Sequence, residues 1–180
     1  MQGLIFTALA EMIEEKFGLL ALQKVLDTAT LEDDAFVSTS IYPDSSLVRL
    51  VEAASDVSGI AVPDLVKAYG EYLFAHFVKL HEAMILESES LKDFLLRIDS
   101  VIHVEVSKLY PGSSLPIFNY EDIDENNLVM IYRSPRKMCH LAEGLVFGAA
   151  NYFNTPYQLT QTQCMHSGAD HCRLEIQLNG

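Results

Sequence analysis

Three polar side chains close an apolar run in LVMIYRSPRKMCHLAEGLVFG: Tyr132, Ser134 and Arg136. If Leu128 to Ile131 is a strand, side chains alternate between its faces, and these three point the same way. Tyr132 and Ser134 each offer a hydroxyl, and Arg136 adds a planar fork of N–H donors. No acid stands beside them in the sequence, so the array is suited to an external anion. The plainer alternative is a solvated strand end broken by Pro135.

His103, in DSVIHVEVSKLYP, is the second residue of interest. At helical spacing its neighbours include Leu96, Asp99, Val106 and Ser107, a half-apolar face. Such a histidine is ordinarily part of a core, and no second metal ligand lies one turn away to complete a zinc site. Haem needs only one protein ligand, because the porphyrin supplies four nitrogens. Its two propionates are also the kind of anion that Tyr132, Ser134 and Arg136 could grip, the guanidinium with charge assistance.

Cys139, Cys164 and Cys172 are the only cysteines. Folding the last hairpin about Gly168 sets Cys164 opposite Cys172, at a separation that suits a disulfide or a shared metal. Cys139, at the start of the preceding helix, offers a third thiolate. With His166 or His171 as the fourth ligand this would be a closed structural Zn2+ site; three separate reduced thiols are the alternative. His76, His81 and His140 are expected to be structural.

The elements that must position these groups form an α+β chain. MQGLIFTALAEMIEEKFG places Ile5, Leu9, Met12, Ile13 and Phe17 at helical spacing, and a second helix is expected over Leu19 to Asp27. The acidic, turn-rich LEDDAFVSTSIYPDSS leads to a helix at about Leu47 to Ser58, with Ser45 or Ser46 as its cap. Pro63 suits the first turn of the next helix. Ser90 is expected to cap one long helix that stops at Pro111 and Gly112. The mainly helical part covers about residues 1–112. Residues 113–180 read as two hairpins with one helix between them, and Gly144 and Gly148 give that helix a small-residue stripe.

A net charge of −13 argues against a nucleic acid or an anionic membrane surface as partner. The N-terminus lacks the basic flank of an export signal, and no run approaches the roughly 18 apolar residues of a membrane span. The expected location is the cytoplasm, in a single domain.

The Tyr132–Ser134–Arg136 pattern, the upstream His103 and the intervening Pro116 resemble the haem-nitric oxide/oxygen binding (H-NOX) family along the whole chain. That resemblance implies haem b (iron protoporphyrin IX) with His103 as the iron ligand and Tyr132, Ser134 and Arg136 on its propionates. It implies that Pro116 packs against the porphyrin. It also implies a gas pocket that includes Ile5, in which Leu9, Leu73 and Leu141 stand where oxygen binders carry polar or indole groups. An apolar pocket has no donor for bound O2, so nitric oxide and carbon monoxide are the expected ligands. The implied role is a bacterial sensor, not an enzyme, acting on a separate histidine kinase or cyclic-di-GMP enzyme. Some bacterial members carry zinc at cysteines like these; their histidine falls where this chain has Gln161. The competing reading is a zinc-stabilised adaptor without haem.

Overall fold

The computed structural model describes residues 1–31, 35–109, 111–112 and 114–179. Glu32, Asp33 and Asp34 of the acidic segment, and Tyr110 near the expected helix stop, lie outside them. Four helices come first: α1 (Gly3–Phe17), α2 (Leu19–Ala29), α3 (Asp44–Ser58) and α4 (Val62–Leu86). Phe6, Leu9, Met12 and Ile13 of α1 are buried together with Val25 of α2, Leu47 and Leu50 of α3, and Leu65 and Tyr69 of α4. The helical periodicity of MQGLIF…KF therefore has a packing cause. Gly18, at φ +88°, makes the break between α1 and α2, a conformation that costs glycine little.

A second core lies under a four-stranded antiparallel sheet of order β1-β2-β4-β3, built from β1 (Ile117–Asp124), β2 (Asn127–Arg133), β3 (Tyr157–Gln163) and β4 (Cys172–Leu178). The β2 burial pattern is nearly continuous and includes Leu128, Val129, Met130 and Tyr132, as a central strand requires. A further helix, α7 (Cys139–Tyr152), covers this core and packs along α4. Glycine makes that approach possible. A Cβ built on Gly144 would stand 2.0 Å from the Lys67 carbonyl oxygen, and one on Gly70 would stand 2.5 Å from that of Leu141. The α4–α7 pair thus joins the helical part to the sheet, and the architecture is α+β as expected.

Two expectations about helices fail. The helix assigned to Leu47–Ser58 begins at Asp44, and neither Ser45 nor Ser46 caps it. Pro43, at φ −58° and ψ 139°, supplies the extended residue before the first turn, so the helix starts earlier. The long helix after Ser90 is also interrupted. Ser90 does cap it, with Oγ accepting from the Asp93 N–H at 3.2 Å, but α5 (Leu91–Arg97) gives way to a π-helical turn over Ile98–Ile102 before α6 (His103–Leu109). A π turn inserts residues into the hydrogen-bond ladder without disturbing the apolar pattern, and it often marks a functional site. Here it sits immediately before His103.

Candidate functional site: a cavity between the two cores

A cavity of about 300 Å³ lies where the helical part meets the sheet. Ile5 of α1, Leu73 of α4 and Leu141 of α7 line it, as do Ile102 and His103 from the π turn and α6. Pro116, at the entrance to β1, and Tyr132, Ser134 and Arg136 also reach it. Nearly every expected residue therefore arrives at one place from distant parts of the chain.

Leu9 is the exception. It is wholly buried among α1–α4 and does not line the cavity. Ile5, one turn earlier on α1, is the residue from that helix that does. Sequence reasoning also missed several lining residues, among them Phe77, His81, Met84 and Leu145. The signal was present but ambiguous: Leu73, Phe77 and His81 recur at helical spacing, which is how an ordinary core stripe also reads. The sequence suggests only a structural role for His81. It marks a break in α4, with φ −135° and ψ 33° inside an otherwise helical run.

His103 is held as a metal-ligating imidazole is held. Its Nδ1 lies 3.4 Å from Asp99 Oδ1, and the same oxygen accepts from the Phe118 N–H at 3.2 Å. Asp99 therefore ties the histidine to the first strand, and with Nδ1 donating to that carboxylate Nε2 would keep its lone pair. Burial lowers the pKa of His103 below its ordinary value, opposed by Asp99 and by the backbone of Pro116. The ring is thus kept neutral, as iron coordination requires.

The polar group beside the cavity differs from the simple strand picture. β2 ends at Arg133, so strand alternation does not orient Arg136. A turn brings it back: the Arg136 N–H donates to Ser134 Oγ at 3.3 Å, and the Lys137 N–H donates to the Ser134 carbonyl at 3.1 Å. Tyr132, whose pKa burial raises, accepts at its hydroxyl from the Met138 N–H at 3.0 Å. Arg136 has found an acid far away in sequence. Its Nε donates to Asp44 Oδ2 at 2.6 Å, and Nη1 donates to the Ser114 carbonyl. Asp44 also meets the Met1 amine at 3.1 Å. Burial would raise the Asp44 pKa, but Arg136 and the amine together hold it below the ordinary value.

The residues present fit a haem: an apolar cavity, one imidazole with its far nitrogen anchored, and hydroxyl and guanidinium donors grouped beside the lining. His103 would hold the iron, with Tyr132, Ser134 and Arg136 at the carboxylates.

The thiols form a second cluster. The Sγ atoms of Cys139, Cys164 and Cys172 all lie within 4.8 Å of one another, and Cys139 and Cys164 are 3.9 Å apart. Gln163 pairs with Arg173, so the hairpin does fold about Gly168, with Cys164 next in line toward Cys172. Burial pushes the Cys139 thiol up to about 12 and also raises that of Cys172. Without a metal these are inert thiols.

Neither expected histidine joins all three sulfurs. His171 Nδ1 is 2.6 Å from Asp170 Oδ1. His166 groups instead with Cys139 and His140. Gln161 lies against the Cys139 thiol. Hairpin register places residues 164 and 172, but the 3-10 turn Met165–Ser167 redirects His166.

Comparisons with known proteins agree with this geometry. The family model described as Haem-NO-binding matches residues 2–161. An H-NOX protein from S. oneidensis in the Fe(II)NO ligation state is 35% identical, with both chains covered over 100% and a TM-score of 0.94. The SO2144 H-NOX domain from Shewanella oneidensis, in the Fe(II)CO ligation state, is also 35% identical, covers 100% of this chain and 99% of that one, and has a TM-score of 0.91. Soluble guanylate cyclase 89Da of Drosophila melanogaster is 25% identical over 138 residues, 76% of this chain. The chain spans about a fifth of that cyclase, 20% of its length. Among the described residues, no helix is long and apolar enough to cross a membrane. The chain belongs to the haem-NO-binding, or H-NOX, family of haem-based gas-sensor domains.

Proposed function

We propose that this domain binds haem b and senses nitric oxide, with carbon monoxide as a second ligand and O2 excluded. The observation that carries this reading is the lining contributed by Ile5, Leu73 and Leu141, which offers no hydrogen-bond donor from α1, α4 or α7 at those positions. Bound there, haem supplies an iron that takes diatomic gases. O2 acquires partial negative charge on binding and relies on a nearby donor more than nitric oxide or carbon monoxide does. His81 does not substitute for such a donor. It lies eight residues beyond Leu73, about 12 Å along the helix axis, at the break in α4.

The output is carried by this chain's own residues. His103 ties the segment that includes the π turn to the cavity, while Asp44–Arg136 joins α3 to the turn after β2. A change in what His103 holds therefore alters the tether between the two cores, a two-state device that a docked partner can read. The partner we assign is a separate histidine kinase or cyclic-di-GMP enzyme in a bacterial cytoplasm, with no catalytic step in this domain. The three thiols are assigned to Zn2+. Their 3.9 Å Cys139–Cys164 separation matches the roughly 3.8 Å edge of a tetrahedron with Zn–S near 2.3 Å.

A visible spectrum of the reduced protein tests the reading. A Soret band that shifts with nitric oxide and carbon monoxide but not with air is expected. A protein that takes up no haem, or whose spectrum shifts stably in air, overturns it.

A further inference from the structure

Cys139 belongs to two donor sets. One is the thiol trio; the other comprises Cys139, His140 and His166, whose ligand atoms also lie within 4.8 Å of one another. The histidines come from different elements, α7 and the 3-10 turn after β3, yet their rings are parallel to within 7° with centroids 5.7 Å apart. Two imidazoles on one tetrahedral zinc, each with nitrogen about 2 Å from the ion, have ring centres about 5 Å apart. The observed separation is of that order, and one ring must turn out of the parallel arrangement for both lone pairs to meet a common ion.

Both rings also have the support that ligating histidines use. His166 Nε2 is 2.7 Å from the Lys137 carbonyl oxygen. A carbonyl only accepts, so Nε2 carries the proton and Nδ1 keeps its lone pair. Lys137 makes this contact from a left-handed conformation, φ +53°, at the turn between β2 and α7. His140 Nδ1 is buried without a hydrogen-bond partner, and the Glu143 carboxylate stands 3.5 Å away. Glu143 is itself buried and fixed by Lys67 Nζ at 2.6 Å. A carboxylate behind a histidine orients the ring and raises its basicity as a ligand. His166 is exposed, so an ion has access from solvent.

We propose that Cys139, His140 and His166 form a second Zn2+ position of mixed nitrogen and sulfur ligands, adjoining the thiol trio and sharing the Cys139 sulfur. Binding replaces the Cys139 thiol proton, which passes to solvent, and draws both imidazoles in as neutral ligands. Three protein ligands leave one coordination site of a tetrahedral zinc for water. The position uses different atoms from the trio apart from Cys139, so each can fail without the other.

The test is a zinc count on the full chain with haem bound, stripped of other metals, titrated with Zn2+ and examined by native mass spectrometry. Two ions per chain are expected for the native protein, and one for the His140→Ala/His166→Ala variant. Neither histidine is fully buried, so that variant should keep its Soret band. Cys164→Ala/Cys172→Ala should retain one ion and lose it when His140→Ala is added. A single ion in the native protein that follows the histidines, and survives loss of Cys164 and Cys172, still supports the mixed position while removing the trio. Equal zinc counts in the native and double-histidine proteins overturn the proposal.

Discussion

The haem cavity and the thiol cluster share α7 but differ in what organises them. The cavity is apolar space between two cores, and its few polar residues are anchored by contacts from remote elements: Asp99 to His103, and Asp44 to Arg136. The thiol cluster has almost no space of its own. It is defined by one hairpin and one helix start, and its donors already approach coordination distances. In the proposed function, the first site takes a ligand that fills volume and the second an ion that fills a vertex.

That difference sets the size of the expected effects. The largest is at His103, because it is the sole iron ligand assigned. His103→Gly should abolish haem retention unless imidazole is supplied, while leaving zinc content unchanged. Haem content and the ferrous spectrum read this directly, and an unchanged ferrous spectrum would remove His103 from its role.

The second effect is at Arg136. Arg136→Ala removes a charge-assisted donor, which contributes about 1.5–3 kcal/mol when partly buried, so haem should dissociate about 10- to 150-fold faster. Lys should restore part of this, having no planar fork. Asp44→Asn sharpens the comparison, since it frees Arg136 from its internal acid and keeps the guanidinium. If all three variants release haem at the native rate, the polar group is only a turn.

What could be read in the sequence follows the same division. The Tyr132–Ser134–Arg136 group was legible because its residues crowd into one short stretch, even though a turn, rather than the strand, delivers Arg136. His103 became legible only in combination with that group. Asp44 as the partner of Arg136 was not, since the two meet across just over half the chain and neither spacing nor type pairs them. Leu9 was placed at the pocket by the resemblance alone, and it stands in the helical core one turn from Ile5, the α1 residue that lines the cavity. The π turn was invisible because it changes hydrogen-bond register and leaves composition untouched. At the thiols, hairpin symmetry located Cys164 and Cys172 but could not foresee that His166 would turn toward His140.

A third, smaller effect tests the hinge between the sites. Gly144→Ala places a Cβ against the backbone of α4, 2.0 Å from the Lys67 carbonyl oxygen and 2.9 Å from Gly70 Cα. Overpacking of this kind costs about 1–3 kcal/mol. The urea midpoint should fall, and α4 should move away from α7, disturbing both the Leu73–Leu141 lining and the Lys67–Glu143 pair. An unchanged midpoint would mean that the close approach of these helices is not needed.

The smallest expected effect is the most specific to gas choice. Leu141 lines the cavity from α7, and Leu73 lines it from α4. Leu141→Tyr adds a hydroxyl to that lining, and one hydrogen bond to a bound ligand contributes about 0.5–1.5 kcal/mol, an increase of roughly two- to tenfold in affinity. Only a ligand that accumulates negative charge should benefit, so O2 binding should strengthen while carbon monoxide binding stays nearly constant. The ring also adds volume, which could weaken both gases alike, and Leu141→Phe supplies that control because it has the ring without the donor. A gain for O2 in Tyr over Phe, with no corresponding gain for carbon monoxide, would show that the apolar lining sets the selectivity. Equal O2 affinities for the two variants would place the discrimination at the iron and His103 instead, and the comparison between cavity and ion site would then rest on volume alone.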